Sequence, residues 1–166
     1  MNKYWKDIRE LVSEETFGGK VASAFDLIDT RALDTLNALK EAYGLKMIIN
    51  TWFMAGWDNF GADKFSLRGY RPADCPIGAP DSAHKRGMAF DIDFYGEEGR
   101  IPAKTIRKMI MNDIKKFPEI MCLETGIDWV HFDVMSEKDN VKRTGCNDKQ
   151  LMLYGVDGSV SWMKRV

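Results

Sequence analysis

The segment Met88–Tyr95 (MAFDIDFY) alternates strictly between two kinds of position, and this alternation constrains the fold more than any other feature of the sequence. One set of alternate positions is apolar: Met88, Phe90 and Ile92. The other set is small or acidic: Ala89, Asp91 and Asp93. Because successive side chains of a β-strand point to opposite faces, the pattern predicts a strand with one face in the core and carboxylates on the other.

Helical periodicity occurs in three segments: residues 3–12, residues 27–43 and the stretch from Pro102 to Lys116. The second segment is followed by Gly44, a residue type that commonly ends helices. The third begins at a proline, which is favoured in the first helical turn. The N-terminal helices are therefore expected within residues 1–45.

Further strands are predicted at Lys46–Thr51, at Asp128–Met135 and, in the tail, near Gln150–Tyr154 and Ser159–Met163. The helices and strands do not repeat a strand–helix–strand rhythm. We therefore predict an α+β fold with a central antiparallel sheet flanked by helices. The length of the chain, 166 residues, suits one domain that spans residues 1–166.

A long segment, residues 52–87, is rich in glycine and proline and has no clear period. It is predicted to be a loop region. Long ordered loops inside compact domains usually serve a function, so this segment is expected to contribute to a site.

The composition excludes several classes of protein. Apolar residues make up 45% of the chain, which is enough for a packed core and argues against disorder. The 24 lysines and arginines are balanced by 25 carboxylates, and nucleic-acid binding normally needs a basic excess. There is no run of 18 consecutive apolar residues and no signal-peptide pattern at the N-terminus. We expect a monomer with no nucleic-acid partner and no membrane partner.

Only two histidines occur in the chain, His84 and His131, and each lies on or beside a predicted strand that carries carboxylates. Asp91 follows the first histidine by seven residues and lies on the polar face of its strand. Two imidazoles and one carboxylate are a common ligand set for catalytic zinc, which keeps its fourth position open for water. These three residues are therefore a candidate metal site.

Two other interpretations stay open on the residues alone. A single histidine is more often an ordinary surface or core residue than a ligand, and the strand carboxylates could form the solvent face of an edge strand. An octahedral Ca²⁺ or Mg²⁺ site could also be built from Asp91, Asp93 and Asp133, although sites made only of oxygen ligands do not call for histidines.

The stretch Ser82–Asp91 (SAHKRGMAFD) resembles the S-x-H-x-x-G-x-A-x-D motif of the zinc D-alanyl-D-alanine carboxypeptidase family. That family also includes phage L-alanyl-D-glutamate endopeptidases and vancomycin-resistance dipeptidases, and it shares its fold with the Hedgehog signalling domain. Asp128–His131 (DWVH) resembles the second motif, in which an acidic residue lies three positions before the last zinc-binding histidine. Arg68–Pro72 (RGYRP) resembles the upstream G-Y-R segment, so the matched motifs span residues 68–133 in the family's order.

The resemblance implies a Hedgehog/DD-peptidase-like fold and a Zn²⁺ cofactor bound by His84, Asp91 and His131. It also implies that Arg71 binds the substrate and stabilises charge in the transition state. Ser82, beside the first ligand, is implied as a substrate contact.

The general base is implied to be Asp128, and Glu124 is the alternative. Many carboxypeptidase and dipeptidase members carry Glu at this position, whereas phage endopeptidases also use Asp. Residues four apart share a face of a continuous strand, but Gly126 allows a turn between these two.

Three further residues lie next to the matched motifs: Asp93, Asp133 and Trp129. The two carboxylates are candidates for accepting the free N–H of a zinc-binding histidine, and they could equally be solvated. The tryptophan could line the pocket or pack against a helix.

The implied function is hydrolysis of amide bonds in peptidoglycan stem peptides, as a D-Ala-D-Ala carboxypeptidase or an L-Ala-D-Glu endopeptidase. One alternative is a non-catalytic, zinc-bearing binding module of the same fold, and another is a globular protein without a metal. Because phage-encoded members resemble this chain, we expect a phage-type protein that stays cytoplasmic until phage lysis releases it or a phage particle carries it.

Overall fold

The computed structural model describes residue 5 and residues 7–18, 24–54, 65–139 and 150–165. These residues form three α-helices and one sheet of seven strands. The helices are α1 (Glu14–Phe17), α2 (Thr30–Tyr43) and α3 (Ala103–Asn112). The strands are β1 (Lys46–Ile48), β2 (Ala89–Gly96), β3 (Gly99–Ile101), β4 (Cys122–Thr125), β5 (Val130–Asp133), β6 (Gln150–Gly155) and β7 (Val160–Lys164).

The strands are ordered β1-β2-β5-β4-β6-β7, and β3 pairs with β2. The α+β class is confirmed, but the prediction of an antiparallel sheet is wrong at one pair, because β4 and β6 run parallel. The reason is the place where the preceding strand ends: β5 ends at Asp133, which is paired with Cys122 at the start of β4. A strand that begins at this end and pairs with the free edge of β4 runs in the same direction as β4.

Two strands, β3 and β4, were not predicted from the sequence. β3 is only three residues long and starts at Gly99, whose φ is 110°. β4 is buried over its first two residues and half-buried over its last two, so it shows no alternation. Periodicity is a weak signal in strands this short.

Helix α2 begins at Thr30, three residues later than predicted. The Asp29 side chain accepts a hydrogen bond from the Arg31 backbone N–H and caps the helix at that point. Its end at Gly44, with φ of 62°, agrees with the prediction.

Helix α3 begins directly after Pro102 and ends at Asn112, and a separate 3-10 turn follows at Ile114–Lys116. A helix was predicted over residues 3–12. In the described part of that range the structure has a 3-10 turn at Ile8–Glu10. None of the helices in the described ranges has the length and apolar character needed to cross a bilayer.

Strand β2 lies inside the sheet and is buried on both faces. Its apolar face, which includes Phe90 and Ile92, belongs to the main core together with residues of α2 and α3. On the other face, Asp91 and Asp93 are 6% and 5% exposed. These carboxylates are therefore not the solvent face of an edge strand, and burial requires each to have polar partners.

The segment that covers the polar face of β2 is fixed by contacts with the N-terminal residues. Tyr70 N–H donates to the Leu11 carbonyl at 2.9 Å. The buried Asn50 side chain donates to the Val12 carbonyl and accepts from the Arg68 backbone N–H, both at 3.0 Å. Residues 67–71 are thereby held next to β2, where Asp91 N–H donates to the carbonyl of Arg68 at 2.8 Å.

We predict that Gly87→Ala destabilises the protein much more than Gly44→Ala. Both glycines have a left-handed backbone, with φ of 68° and 62°, so alanine costs about 1–2 kcal/mol at either position. A Cβ at Gly87 would also lie 2.0 Å from the Leu27 carbonyl oxygen, whereas a Cβ at Gly44 meets nothing within 4 Å. The clash should add roughly 1–3 kcal/mol to the loss of unfolding free energy.

Urea denaturation of the two variants and the wild type measures this difference. Equal losses for the two variants would show that the segment around Leu27 moves away freely, contrary to the packing described here.

Candidate metal centre

Two strands and one turn bring His84, Asp91 and His131 together. Asp91 on β2 and His131 on β5 are direct partners in the antiparallel register of the two strands. His84 lies on a 3-10 turn, Ala83–Arg86, that ends at Gly87, two residues before the start of β2. The left-handed conformation of this glycine turns the chain so that His84 returns over the strand that follows it.

The three side chains converge on one point. His131 Nδ1 lies 2.7 Å from Asp91 Oδ1, and His84 Nε2 lies 3.4 Å from Asp91 Oδ2. His84 Nε2 and His131 Nδ1 are 3.3 Å apart. One ligand atom from each residue lies within 4.8 Å of the others, so this group could hold a metal ion.

The His84 ring is oriented by a backbone carbonyl. Its Nδ1 lies 2.9 Å from the oxygen of Gly69, so Nδ1 donates to this carbonyl and Nε2 points toward the other two residues. Metal-binding histidines are usually held in this way by an outer hydrogen-bond partner. Gly69 itself packs closely against Leu11, because a Cβ at Gly69 would lie 1.9 Å from the Leu11 carbonyl oxygen.

His131 has a carboxylate on each side of its ring. Asp91 lies beside Nδ1, and Asp133 Oδ2 lies 3.8 Å from Nε2. Asp133 is fully buried and accepts a hydrogen bond from the Met135 backbone N–H at 3.1 Å. Its role as an outer partner of a metal-binding histidine stays a prediction.

Asp93 has a different role from the one predicted. Its carboxylate lies between two arginines, at 2.6 Å from Arg68 Nη1 and 2.5 Å from Arg100 Nη2. It therefore holds neighbouring segments together and does not orient a histidine. Among the described residues, the one group of three potential metal-binding side chains is the His-Asp-His triad, so the oxygen-only site of Asp91, Asp93 and Asp133 gains no support.

The electrostatics of the triad favour a positive charge at its centre. Burial alone would raise the pKa of the Asp91 carboxyl, but attraction to His84 and the hydrogen bond from His131 hold it well below its usual range. Burial would lower the pKa of His131, but interactions with the Asp133 and Asp91 carboxylates outweigh burial and raise that pKa to about 10. A bound cation would supply this positive charge in place of the proton.

Arg71 lies beside the triad. Its Nη2 is 3.2 Å from Asp91 Oδ2, and its Nε donates to the Leu67 carbonyl at 2.5 Å. The guanidinium is thus held in place by bonds from its Nε and Nη2 atoms. Arg71 and Ser82 both line the cavity into which the triad opens, and their role as substrate contacts stays a prediction.

The cavity over the triad has a volume of about 680 Å³. Glu124 and Trp129 line it, together with apolar residues that the sequence did not single out: Ile77, Met152, Tyr154 and Val160. Met152 and Tyr154 are two positions apart on β6, so strand geometry predicts that they share a face of the sheet. The sequence did not show which face of β6 meets the site.

The structure does not bring Asp128 together with the triad. Its side chain is 77% exposed and lies 3.6 Å from Arg100 Nη1, in a separate small cavity. The turn that contains Gly126, whose φ is 83°, separates β4 from Asp128. Glu124, at the other side of this turn, lines the metal cavity.

We predict that Zn²⁺, used as a probe, stabilises the chelator-treated protein through the triad. At a free concentration 100 times the dissociation constant, a bound ion adds about 2.7 kcal/mol to the unfolding free energy. For a chain of this size the Tm should rise by roughly 5–10 °C. Differential scanning calorimetry before and after addition of ZnCl₂ measures the shift.

The matched variants for this experiment are Asp91→Asn and Asp81→Asn. Both remove one carboxylate from the lining of the cavity, but Asp81 is not part of the triad. The zinc-induced shift should disappear in the first variant and persist in the second. A shift that survives Asp91→Asn would place the metal elsewhere.

We further predict that the stabilising effect of His131 in metal-free protein decreases as the pH rises. Its folded-state pKa is raised to about 10 from 6.5, so its contribution is fully present below pH 6.5 and is lost as the pH approaches 10. The difference in unfolding free energy between wild type and His131→Asn should therefore shrink between pH 6 and pH 9.5 in the presence of a chelator. A difference that is constant with pH would contradict the assigned protonation.

Comparisons of this chain with protein-family models, with curated proteins and with solved structures give no match.

Proposed function

We propose that this protein is a zinc-dependent peptidase that hydrolyses amide bonds in peptidoglycan stem peptides. The observation that supports this most is the convergence of His84, Asp91 and His131 in a cavity that is also lined by Arg71 and Glu124. A metal-binding triad alone is compatible with a structural site. A triad that opens into a cavity of ligand size is typical of a catalytic one.

Zinc is the metal that suits these ligands best. Two imidazole nitrogens and one carboxylate oxygen match the ligand sets of catalytic zinc sites, whereas calcium and magnesium prefer oxygen ligands alone. The Gly69 carbonyl and Asp133 provide the outer partners that such sites normally contain. When bound, zinc would polarise a carbonyl oxygen and lower the pKa of water to about 7.

The residues around the triad suit amide hydrolysis. Arg71 is anchored on Asp91 and Leu67, so its guanidinium presents a fixed positive charge and donors toward the cavity. Such a group stabilises a developing negative charge on a carbonyl oxygen or binds a substrate carboxylate. Ser82, next to the turn that carries His84, adds a hydroxyl on the same wall.

The base that removes a proton from the attacking water has two candidates. Glu124 lies on β4 and lines the cavity of the triad, so its carboxylate is on the side where the reaction would occur. Asp128 matches the motif of the resembled family, but its carboxylate faces Arg100 outside this cavity. We assign the base to Glu124 on geometry, with Asp128 as the alternative.

Peptidoglycan as the substrate is supported by the three ordered motifs, which resemble those of enzymes acting on stem peptides. The position of the cavity requires that a peptide approach the triad between the turn that carries His84 and the strands β4 and β6. A phage-type cell-wall hydrolase is the biological role that this resemblance favours.

A second candidate is a zinc-bearing binding module without catalysis. The observation that favours it is the position of Asp128, since a residue that matches the base of the family does not reach the triad in this structure. The module would bind zinc and a ligand but would release no product.

We predict that zinc-loaded protein releases peptides from purified sacculi and that Glu124→Gln lowers kcat by about 100- to 10,000-fold, the usual contribution of a general base. Asp128→Asn is the rival variant. Glu97→Gln, in the exposed turn between β2 and β3, is the matched control, because it removes a carboxylate far from the cavity.

Product release is measured by mass analysis, and zinc content is measured on each variant. If Asp128→Asn rather than Glu124→Gln loses activity, the base is Asp128 and its side chain must leave Arg100 during the reaction. If zinc-loaded wild type binds sacculi and releases nothing, the binding module is correct and the peptidase proposal is wrong.

A further inference from the structure

Asp93 is a buried carboxylate that the proposed reaction does not use. It follows Asp91 by two positions on β2, so both side chains lie on the same face of the sheet. Only 5% of Asp93 is exposed, and a carboxylate buried to this extent needs strong polar partners. Its side-chain partners are two guanidinium groups, those of Arg68 and Arg100.

The Arg68 guanidinium is held by one ion pair and one aromatic ring. Its Nη1 donates to Asp93 Oδ2 at 2.6 Å, and its Cζ lies 3.4 Å from the centre of the Phe65 ring. The Arg68 side chain is 14% exposed, so solvent screens this ion pair much less than a surface pair. Loss of the carboxylate would leave a shielded positive charge without its anionic partner, which is costly and would displace Arg68.

The backbone next to this side chain is bonded to two members of the triad. The Arg68 carbonyl accepts a hydrogen bond from Asp91 N–H at 2.8 Å. The Gly69 carbonyl lies 2.9 Å from Nδ1 of His84. Further along the same segment, Arg71 Nη2 donates to Asp91 Oδ2 at 3.2 Å. A displacement of Arg68 would therefore reach two potential metal ligands through hydrogen bonds of residues 67–71.

The second partner, Arg100, connects Asp93 to the turn between β4 and β5. Its Nη2 donates to Asp93 Oδ1 and to the Asp128 carbonyl, both at 2.5 Å. This turn has independent support, because Arg107 donates to the carbonyls before and after Asp128 at 2.9 and 2.8 Å. The Arg100 side chain is also 38% exposed. Removal of Arg100 should therefore disturb the triad less than removal of Arg68.

We propose that Asp93 is a positioning residue of the metal centre and that it acts through Arg68. This inference rests on the zinc site of the proposed function. Asp93 supplies no metal ligand; its ion pair with Arg68 fixes residues 67–71, whose backbone carbonyls are bonded to His84 and Asp91. The affinity of the triad for a cation and the geometry of its ligands therefore depend on a carboxylate outside the triad.

The first test is a zinc titration of the full chain against a competing chelator. Asp93→Asn should raise the Kd for Zn²⁺ by about tenfold, since loss of an outer partner of a metal ligand usually costs about 10- to 100-fold in affinity and Asp93 acts one contact further away. Arg68→Met should cause a similar rise. Arg68→Lys, which keeps the positive charge, should restore most of the wild-type affinity, and Arg100→Met should change it much less.

The second test uses Co²⁺ as the probe, because its visible absorption bands depend on the number and geometry of its ligands. The bands of Co²⁺-loaded Asp93→Asn should differ from those of the wild type. The matched control is Asp29→Asn, which removes a carboxylate paired with Arg31 at 2.8 Å and does not line the cavity over the triad. This control should lower the Tm but leave the Co²⁺ bands and the Kd for Zn²⁺ unchanged, so a loss of stability alone is separated from a positioning effect.

The Tm of each metal-free variant shows whether it is folded. Wild-type zinc affinity and wild-type Co²⁺ bands in folded Asp93→Asn would overturn the inference. Equal rises of Kd in Arg68→Met and Arg100→Met would overturn the assignment to Arg68.

If Asp93→Asn does not fold, Arg68→Met tests the same step, because it leaves Asp93 paired with Arg100. Wild-type affinity in folded Arg68→Met would then overturn the inference. Absence of metal binding in the wild type itself would overturn the proposed zinc site and the inference with it, so the two failures are distinguishable.

Discussion

The contact between Asp91 and His131 is the constraint on which the rest of the site depends. The two residues face each other across β2 and β5, and their side chains meet at 2.7 Å within a buried face of the sheet. A buried carboxylate is costly without compensation, and here the compensation comes from both histidines and Arg71. The turn that carries His84, strand β5 and the segment that contains Arg71 each contribute a partner to this carboxylate, so these interactions join the fold and the site.

Close backbone contacts at two glycines hold the covering segments in position. Neither Gly69 nor Gly87 leaves room for a side chain, because each lies against the carbonyl of a residue from the N-terminal part of the chain. Gly69 presents the carbonyl that orients His84, and Gly87 ends the turn on which His84 lies. The N-terminal residues therefore act on the site through the backbone, although none of them lies in it.

The alternation of Met88–Tyr95 was sufficient to predict β2, its two faces and the direction of Asp91, because strand geometry is local. The two histidines and the spacing from His84 to Asp91 were sufficient to predict a candidate metal site. The parallel pairing of β4 and β6 was not predictable, since it depends on which edge of β4 remained free after β5 had paired. The short strand β4 shows no alternation, so the sequence did not predict that Glu124 lines the cavity. The pairing of the strands in the sheet determines this position.

The sequence by itself determined the three residues of the candidate metal site, their order along the chain and the strands on which two of them lie. Only the tertiary structure decided which of the two candidate carboxylates lines the cavity over the triad: Glu124 does, whereas Asp128 lies beside Arg100. The physical reason is that the left-handed turn at Gly126 interrupts the strand between them, so a rule based on strand period no longer applies. The apolar residues of β6 and β7 join the site for a similar reason, because strand pairing places them there over a distance in sequence that no local pattern spans.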